Sequence, residues 1–202
     1  MTRGSERGEA DLWLRELPGG RRRGGYPDMG LTSVRPVSRE HVPPQNNEAE
    51  RATLGAMLLG TDASKEAISK ALVIVKPHDF YRSSHQRICR AIYLLFDQGE
   101  KVDILTVSEA LKKSGDFENA GDSAYIAGLV DEMPIVANIE EYARIVKEKA
   151  TMRHLMEIGN SLFGQASEDA RAVSDVLNDA SQSLFNLTQD MLRGGMQAAR
   201  TL

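Results

Sequence analysis

Apolar residues recur along this chain at three- and four-residue steps, and no segment shows a convincing two-residue alternation. The pattern predicts an all-α protein with short connections. Val42-Pro43-Pro44-Gln45-Asn46-Asn47 reads as extended chain ending in a cap, since the prolines forbid helix and Asn46 or Asn47 can accept the first free amides. A helix follows from Glu48 to Leu59. Ala49, Ala52, Ala56 and Leu59 share one face, and Leu54 and Leu58 widen it, so this helix is expected to be mostly buried. Gly55 within it costs about 1 kcal/mol against Ala, which points to a close helix crossing. Asp62 or Ser64 caps the next helix, with Ile68, Ala71, Leu72 and Val75 inward and Pro77 as its end. Ser83 or Ser84 starts a third, whose inner face is His85, Ile88, Cys89, Ile92, Leu95 and Phe96, stopped by Gly99. Asp103 caps a fourth, with Ile104, Val107, Ala110 and Leu111 inward, and Gly115 ends it. A short fifth opens at Asp122 or Ser123, carries Tyr125, Ile126, Leu129 and Val130, and closes at Pro134.

Two longer helices complete the pattern. Ile139 to Ala166 reads as one helix, with Tyr142, Val146, Met152, Met156, Phe163 and Ala166 at mixed three- and four-residue steps and Glu140, Glu141, Arg144 and Lys147 between them. Ser167 is a fair N-cap for the last helix, with Glu168 and Asp169 at its positive end. There Val173, Leu177, Ala180, Leu184, Leu187 and Met191 alternate four- and three-residue spacings, the narrow seam one helix presents to another. Two helices this long exceed what the modest domain before them can cover. At least one is expected to wait for a partner.

Composition bounds the chemistry. At 202 residues, with 27% charged and 41% apolar, the chain fits one domain plus tails or an interaction segment. No apolar run reaches the roughly 18 residues of a membrane span, and Met1 to Gly20 lacks the apolar stretch of a signal peptide. The single Cys89 excludes an internal disulfide and suits a reducing cytoplasm, and its place beside Ile88 and Ile92 favours core over reactive thiol. The net charge of −4 hides an asymmetry: residues 1–41 hold eight Arg and six acids, and the remainder 17 basic and 23 acidic residues. So acidic a domain is a poor general DNA binder, because phosphate affinity needs clustered Lys and Arg. Residues 1–41, with Gly19-Gly20-Arg21-Arg22-Arg23-Gly24-Gly25, have no hydrophobic period and read as a disordered tail. Two other readings stay open. One is an arginine arm for nucleic acid; the other is that Met29 is the native start and residues 1–28 are translated leader.

No catalytic or ligating constellation emerges. Gly is nowhere followed by Lys, so a Walker A phosphate loop is absent. His78, Asp79 and His85 lie close in sequence, but Pro77 and the following turn break the register a zinc pair needs. His85 therefore reads as packed or hydrogen-bonded, and His154 as solvent-facing or interfacial. Glu48, Glu50, Glu140 and Glu141 sit at helix starts, where the macrodipole explains them. The Ser residues form no G-x-S-x-G elbow. A helix-turn-helix needs a basic recognition helix, and Ser83 to Gln98 offers only Arg87 and Arg90. Catalytic, cofactor-binding and metal-binding residues are all expected to be none.

Five landmarks in order carry a resemblance. Pro43-Pro44-Gln45-Asn46-Asn47-Glu48-Ala49-Glu50 with Leu54-Gly55-Ala56-Met57-Leu58 resembles the opening of DnaB-type replicative DNA helicases. Asp79-Phe80-Tyr81 with His85-Gln86-Arg87-Ile88, then Val102-Asp103-Ile104-Leu105-Thr106-Val107, are similar to the second and third. Gly121 with Ala124-Tyr125-Ile126, and Ala137-Asn138-Ile139 with Tyr142-Ala143 and Ile145-Val146, complete the series. Ala120-Gly121-Asp122 departs from the family, which often has a Gly-Gly pair there. The resemblance covers about Val42 to Met191.

The resemblance implies a small globular helical bundle followed by a helical hairpin and a linker helix. On that expectation 42–166 is the collar domain, with a hairpin over 122–166 built from Ala124–Met133 and Ile139–Ala166, and 167–202 is a linker helix. It implies oligomerisation as a dimer within a trimer of dimers, with the hairpin interface at Tyr142, Val146, Met152, Met156 and Phe163. Val173, Leu177, Ala180, Leu184, Leu187 and Met191 would dock the linker on a neighbouring motor domain. DnaG-type primase, and a helicase loader, are the implied partners in DNA replication. The ATPase domain is expected to begin beyond Leu202, so that ATP, Mg and DNA would engage only that domain and this segment alone would neither hydrolyse ATP nor unwind DNA. A stand-alone replication adaptor that binds primase, loader or helicase is the alternative, and a structural helical oligomer unrelated to replication is a third.

Overall fold

The computed structural model describes residues 42–131, 138–167 and 171–199, with side chains of the last segment described to Met191. The expectations for residues 1–41, Met133, Pro134, Ala137, Glu168, Asp169 and 200–202 lie outside the described residues. The expected helices are present: α1 Asn47–Leu58, α2 Asp62–Ile74, α3 Ser83–Asp97, α4 Ile104–Ser114, α6 Ser123–Asp131, α7 Ile139–Ser167 and α8 Val173–Ala199. A 3-10 turn at Pro77–Asp79 and a single helical turn, α5 Phe117–Ala120, are additional. The described residues contain no strand, only an isolated antiparallel bridge between Leu59 and Asp103.

Local chemistry sets most boundaries. Asn46 Oδ1 accepts the amide of Ala49 at 3.0 Å and starts α1. At α4, Asp103 Oδ1 accepts from Thr106 N at 2.9 Å while Thr106 Oγ1 accepts from Asp103 N at 3.0 Å. Gly115 closes α4 in the left-handed conformation at φ 74°. The start of α2 differs from expectation. Thr61, not Asp62 or Ser64, is the cap: its Oγ1 accepts from Ser64 N at 3.3 Å, and Ser64 Oγ donates back to Thr61 O at 2.6 Å. Gly60 precedes it at φ 68°, where an added Cβ would sit 2.9 Å from that of Asp103. Only glycine fits beside the bridge.

α1 is the axle of the domain. It packs on α2, α3, α6 and α7, and nine of its residues, Gly55 among them, are buried. Leu54, Met57 and Leu58 meet Ile68 from α2, Ile88 and Ile92 from α3, Val107 and Leu111 from α4, and Ile126 and Leu129 from α6 in one core. Full burial of such side chains is worth about 1.5–3 kcal/mol each. Cys89 is fully buried in this core, and burial pushes its thiol far up from the ordinary range.

The later helices pack differently from the hairpin expected over 122–166: α6 packs on α1 and α4, while α7 packs on α1, α2 and α8, and α8 also reaches α2. Ser167 is not the cap of α8. It is the last residue of α7, and its Oγ donates to Phe163 O at 2.7 Å.

Candidate assembly surface on the C-terminal helices

The inner half of α7 belongs to the globular core. Ile139, Ala143, Val146 and Ala150 are at most 6% exposed. Charge as well as packing holds this half in place. Lys147 Nζ lies 2.9 Å from Oδ1 of Asp79, which is itself buried and also accepts the Lys76 amide at 2.7 Å. Arg153 donates to the carbonyls of Asp79 and Pro44 and lies over the ring of Tyr81.

A second network stands beside the first. Glu50 is buried, and its carboxylate accepts from the Tyr81 amide at 2.7 Å and lies 2.6 Å from His85 Nδ1. His85 Nε2 lies 2.7 Å from the Tyr125 hydroxyl, so both ring nitrogens of this buried histidine are used. Three elements, α1, α3 and α6, are thereby tied through one imidazole. Gly121, at φ 88°, lets the backbone pass where a Cβ would press within 3.0 Å of the Tyr125 ring. Glu50 is thus more than an acid at a helix start. Position in the first turn explained a charge there but could not reveal that α3 would cover it.

Beyond Ala150 the environment of α7 changes. No residue from Thr151 to Ser167 is fully buried, and Met152, Leu155 and Phe163 are openly exposed, with Phe163 at 61%. Met152, Met156, Gly159, Phe163 and Ala166 follow four-, three-, four- and three-residue steps and so form one seam. The expected interface residues therefore divide. Met152, Met156 and Phe163 share the open seam, while Val146 is 1% exposed in the domain's own core and Tyr142 is half-buried near it. Val146 must be removed from the outward surface. The six-residue step from Val146 to Met152 turns the helix by about 600°, about 120° short of two full turns, so the two cannot share a face. Leu155 and Gly159 flank or complete the seam and were not picked out from the sequence.

α8 packs on the other side of α7. Ile158, Ser161 and Leu162 with Ala180 and Ser183 line the cleft between them. Arg171 links the two helices, donating to Gln165 Oε1 at 2.9 Å and to Asp179 Oδ2 at 2.7 Å. The expected docking stripe is split by this contact. Ala180 and Leu187 are half-buried, whereas Val173, Leu177, Leu184 and Met191 are 44–75% exposed, and Phe185 adds a further open ring at 58%. His154, at the rim of the cleft, is exposed and lies 3.8 Å from Glu157.

The described residues contain no group of three or more His, Cys, Asp or Glu side chains able to hold a metal ion, and no helix long and apolar enough to cross a membrane. His85 and Asp79, the nearest to a metal pair in sequence, are each committed to a partner in the networks above.

Residues 42–148 match the model of the DnaB-like helicase N-terminal domain. The chain belongs to that family. The replicative DNA helicase DnaB of Rhodothermus marinus is 42% identical over 161 residues, which are 80% of this chain and 16% of that protein. The replicative DNA helicase DnaC of Bacillus subtilis is 36% identical over 150 residues, 74% of this chain and 32% of that one. The chain thus spans a third or less of these relatives' length. The crystal structure of the N-terminal domain of DnaB helicase from Mycobacterium tuberculosis superposes with a TM-score of 0.66 at 37% identity, covering 72% of this chain and 99% of that one. A DnaB-like replicative helicase whose structure is described with its interactions with primase matches at a TM-score of 0.56 and 18% identity, a likeness of fold.

Within this DnaB-like domain the landmark residues have physical work. Asn46 and Glu50 from the first, Asp79, Tyr81 and His85 from the second, and Tyr125 from the fourth are the caps and networks just described. Asp103 and Thr106 from the third form the reciprocal cap of α4. The landmark residues thus join helices to one another, and the family model ends at residue 148, before the open seams of α7 and α8.

Proposed function

We propose that this chain is the oligomerisation and primase-interaction region of an ATP-dependent hexameric replicative DNA helicase, working in the cytoplasm in DNA replication. Family membership supports the setting. The single observation that carries the assembly role is the open seam of α7, an apolar edge at coiled-coil spacing on a helix whose root is locked by Asp79 and Lys147.

The favoured occupant of that seam is a second copy. Centred on Gly159, the seam reads nearly alike in both directions. Antiparallel copies with Gly159 facing Gly159 set Met152 against Ala166, large against small, and bring Met156 beside Phe163, one residue off register, in a self-complementary contact. An added Cβ at Gly159 meets nothing within 4 Å in the separate chain, so the helix backbone itself is open there to close approach. The hairpin of this reading is α7 with α8, in place of α6 with α7. Val173, Leu177, Leu184 and Met191 on α8 then offer a further edge to a neighbouring subunit. Primase and a loader are the partners this reading gives to the assembled collar, while ATP, Mg and DNA belong to a motor domain.

Light scattering across a concentration series tests the reading. The native chain should rise in mass with concentration, and Met152→Glu with Met156→Glu should hold it at one chain while the helical circular dichroism stays unchanged. Association that survives both charges would reject the α7 seam. Capture of purified DnaG-type primase by the native chain, and not by the double variant, tests the second half of the proposal; capture by neither would reject it.

A further inference from the structure

Four methionines have described side chains, and their places differ sharply. Met57 is fully buried in the core, while Met152 and Met191 are 48% and 55% exposed and Met156 is half-buried. Both methionines of α7 lie on the seam, four residues apart, and Met191 lies on the open edge of α8. Every described methionine that solvent reaches thus sits on an apolar edge. Leucine would pack such an edge as well as methionine does. Only the thioether also reacts with peroxides.

We propose that Met152 and Met156 are oxidation sites that make self-association of this chain sensitive to hydroperoxides. The inference rests on the α7 seam being the contact between copies. A sulfur lone pair attacks one peroxide oxygen, the O–O bond breaks and an S–O bond forms. The hydroxide that leaves hydrogen peroxide, or the alkoxide that leaves an organic hydroperoxide, takes the proton of the transferred oxygen and departs as water or alcohol. The thioether loses two electrons and the peroxide gains them. The product carries a strong S–O dipole that needs a hydrogen-bond donor once buried. The seam offers none: its other members are Gly159, Phe163 and Ala166, with Leu155 at its edge. Of the donors one turn away, Arg153 is already held by the carbonyls of Pro44 and Asp79, and Lys149 and Asn160 stand at the rim, where each would give up water to reach a buried S–O. An oxidised edge is therefore stable facing water and unfavourable against a second copy. Pairing in turn covers the same sulfurs, so association and oxidation compete for one surface.

The experiment treats the native chain and a Met152→Leu, Met156→Leu variant with hydrogen peroxide. Sedimentation gives the dissociation constant, and peptide mass spectrometry locates the added oxygen. In dilute native protein both seam methionines should gain one oxygen while Met57 gains none, and the dissociation constant should rise on the order of tenfold or more. Concentrated native protein should oxidise more slowly at both positions. The leucine variant should associate as the native chain does and keep its dissociation constant after treatment, even with Met191 oxidised. Methionine sulfoxide reductases should restore the native value. Unchanged association with both sulfoxides confirmed would overturn the proposal and leave the seam in place as the interface if the two glutamate substitutions still abolish it. A native chain that remains a single copy at every concentration would overturn the interface reading and this inference together.

Discussion

The two halves of α7 make the instructive comparison. Ile139, Ala143, Val146 and Ala150 step by four, three and four residues; Met152, Met156, Gly159, Phe163 and Ala166 step by four, three, four and three. The spacings are equivalent, yet the first set is buried and the second largely open. What separates them is phase. From Ala150 to Met152 is two residues, which rotates the stripe by about 200° and carries it to the opposite side of the helix. A hydrophobic period says that something will cover a face. A slip in that period says where the cover changes, here from the chain's own core to something outside it.

The sharpest way to break this comparison is to place the same charge on each half. Val146→Glu should remove about 4 kcal/mol or more and leave little folded protein in a urea titration, since a carboxylate there has neither water nor a partner. Met152→Glu should shift the same midpoint by less than about 0.5 kcal/mol. Equal effects would show that the two stripes share one environment.

Next in size is His85→Ala. It strips Glu50 of a partner in a buried site, and breaking such a pair costs about 3–5 kcal/mol; thermal denaturation reads it directly. A loss below about 1 kcal/mol would mean that water reaches the site.

A smaller effect is expected at the start of α4. The hydrogen bond from the Thr106 amide, followed by the side chain of Lys101 and that of Thr106, holds the Asp103 carboxyl below its ordinary value. Because the folded value is the lower one, the stabilisation is complete at neutral pH. It is lost as pH falls from the ordinary carboxylate range through that depressed value. Asp103→Ala should cost about 1 kcal/mol at pH 7 and close to nothing in strong acid. A penalty independent of pH would assign the loss to packing.

Least of all should be Leu177→Ser on the open edge of α8, with a stability change within about 0.5 kcal/mol. Amide exchange in Val173–Leu184 should also be faster than in Ile139–Ala150. Slower exchange in α8 would mean that its edge is covered within the chain.

Much of this fold was legible in local chemistry. Asn46, Asp103 and Gly115 act where they stand in sequence, because a cap needs only its own side chain and the next few amides. Thr61 was passed over because Asp62 and Ser64 beside it are equally good cap residues, and the backbone conformation decides among such neighbours. Glu50 looked like a helix-start acid, since its partners Tyr81 and His85 are 31 and 35 residues away. Val146 and Met152 stand about 120° apart on the helix, a phase difference that the residue count alone contains.

Sequence by itself determined the helical class, the positions of most helices and the family, because periodicity, caps and short motifs act over a few residues. Tertiary structure alone decided that α8 and not α6 lies along α7, that one imidazole joins three helices, and which part of each apolar stripe stays open. Those outcomes depend on which surfaces meet, and a helix carries the same stripe whether its neighbour is its own core, the next helix or another molecule.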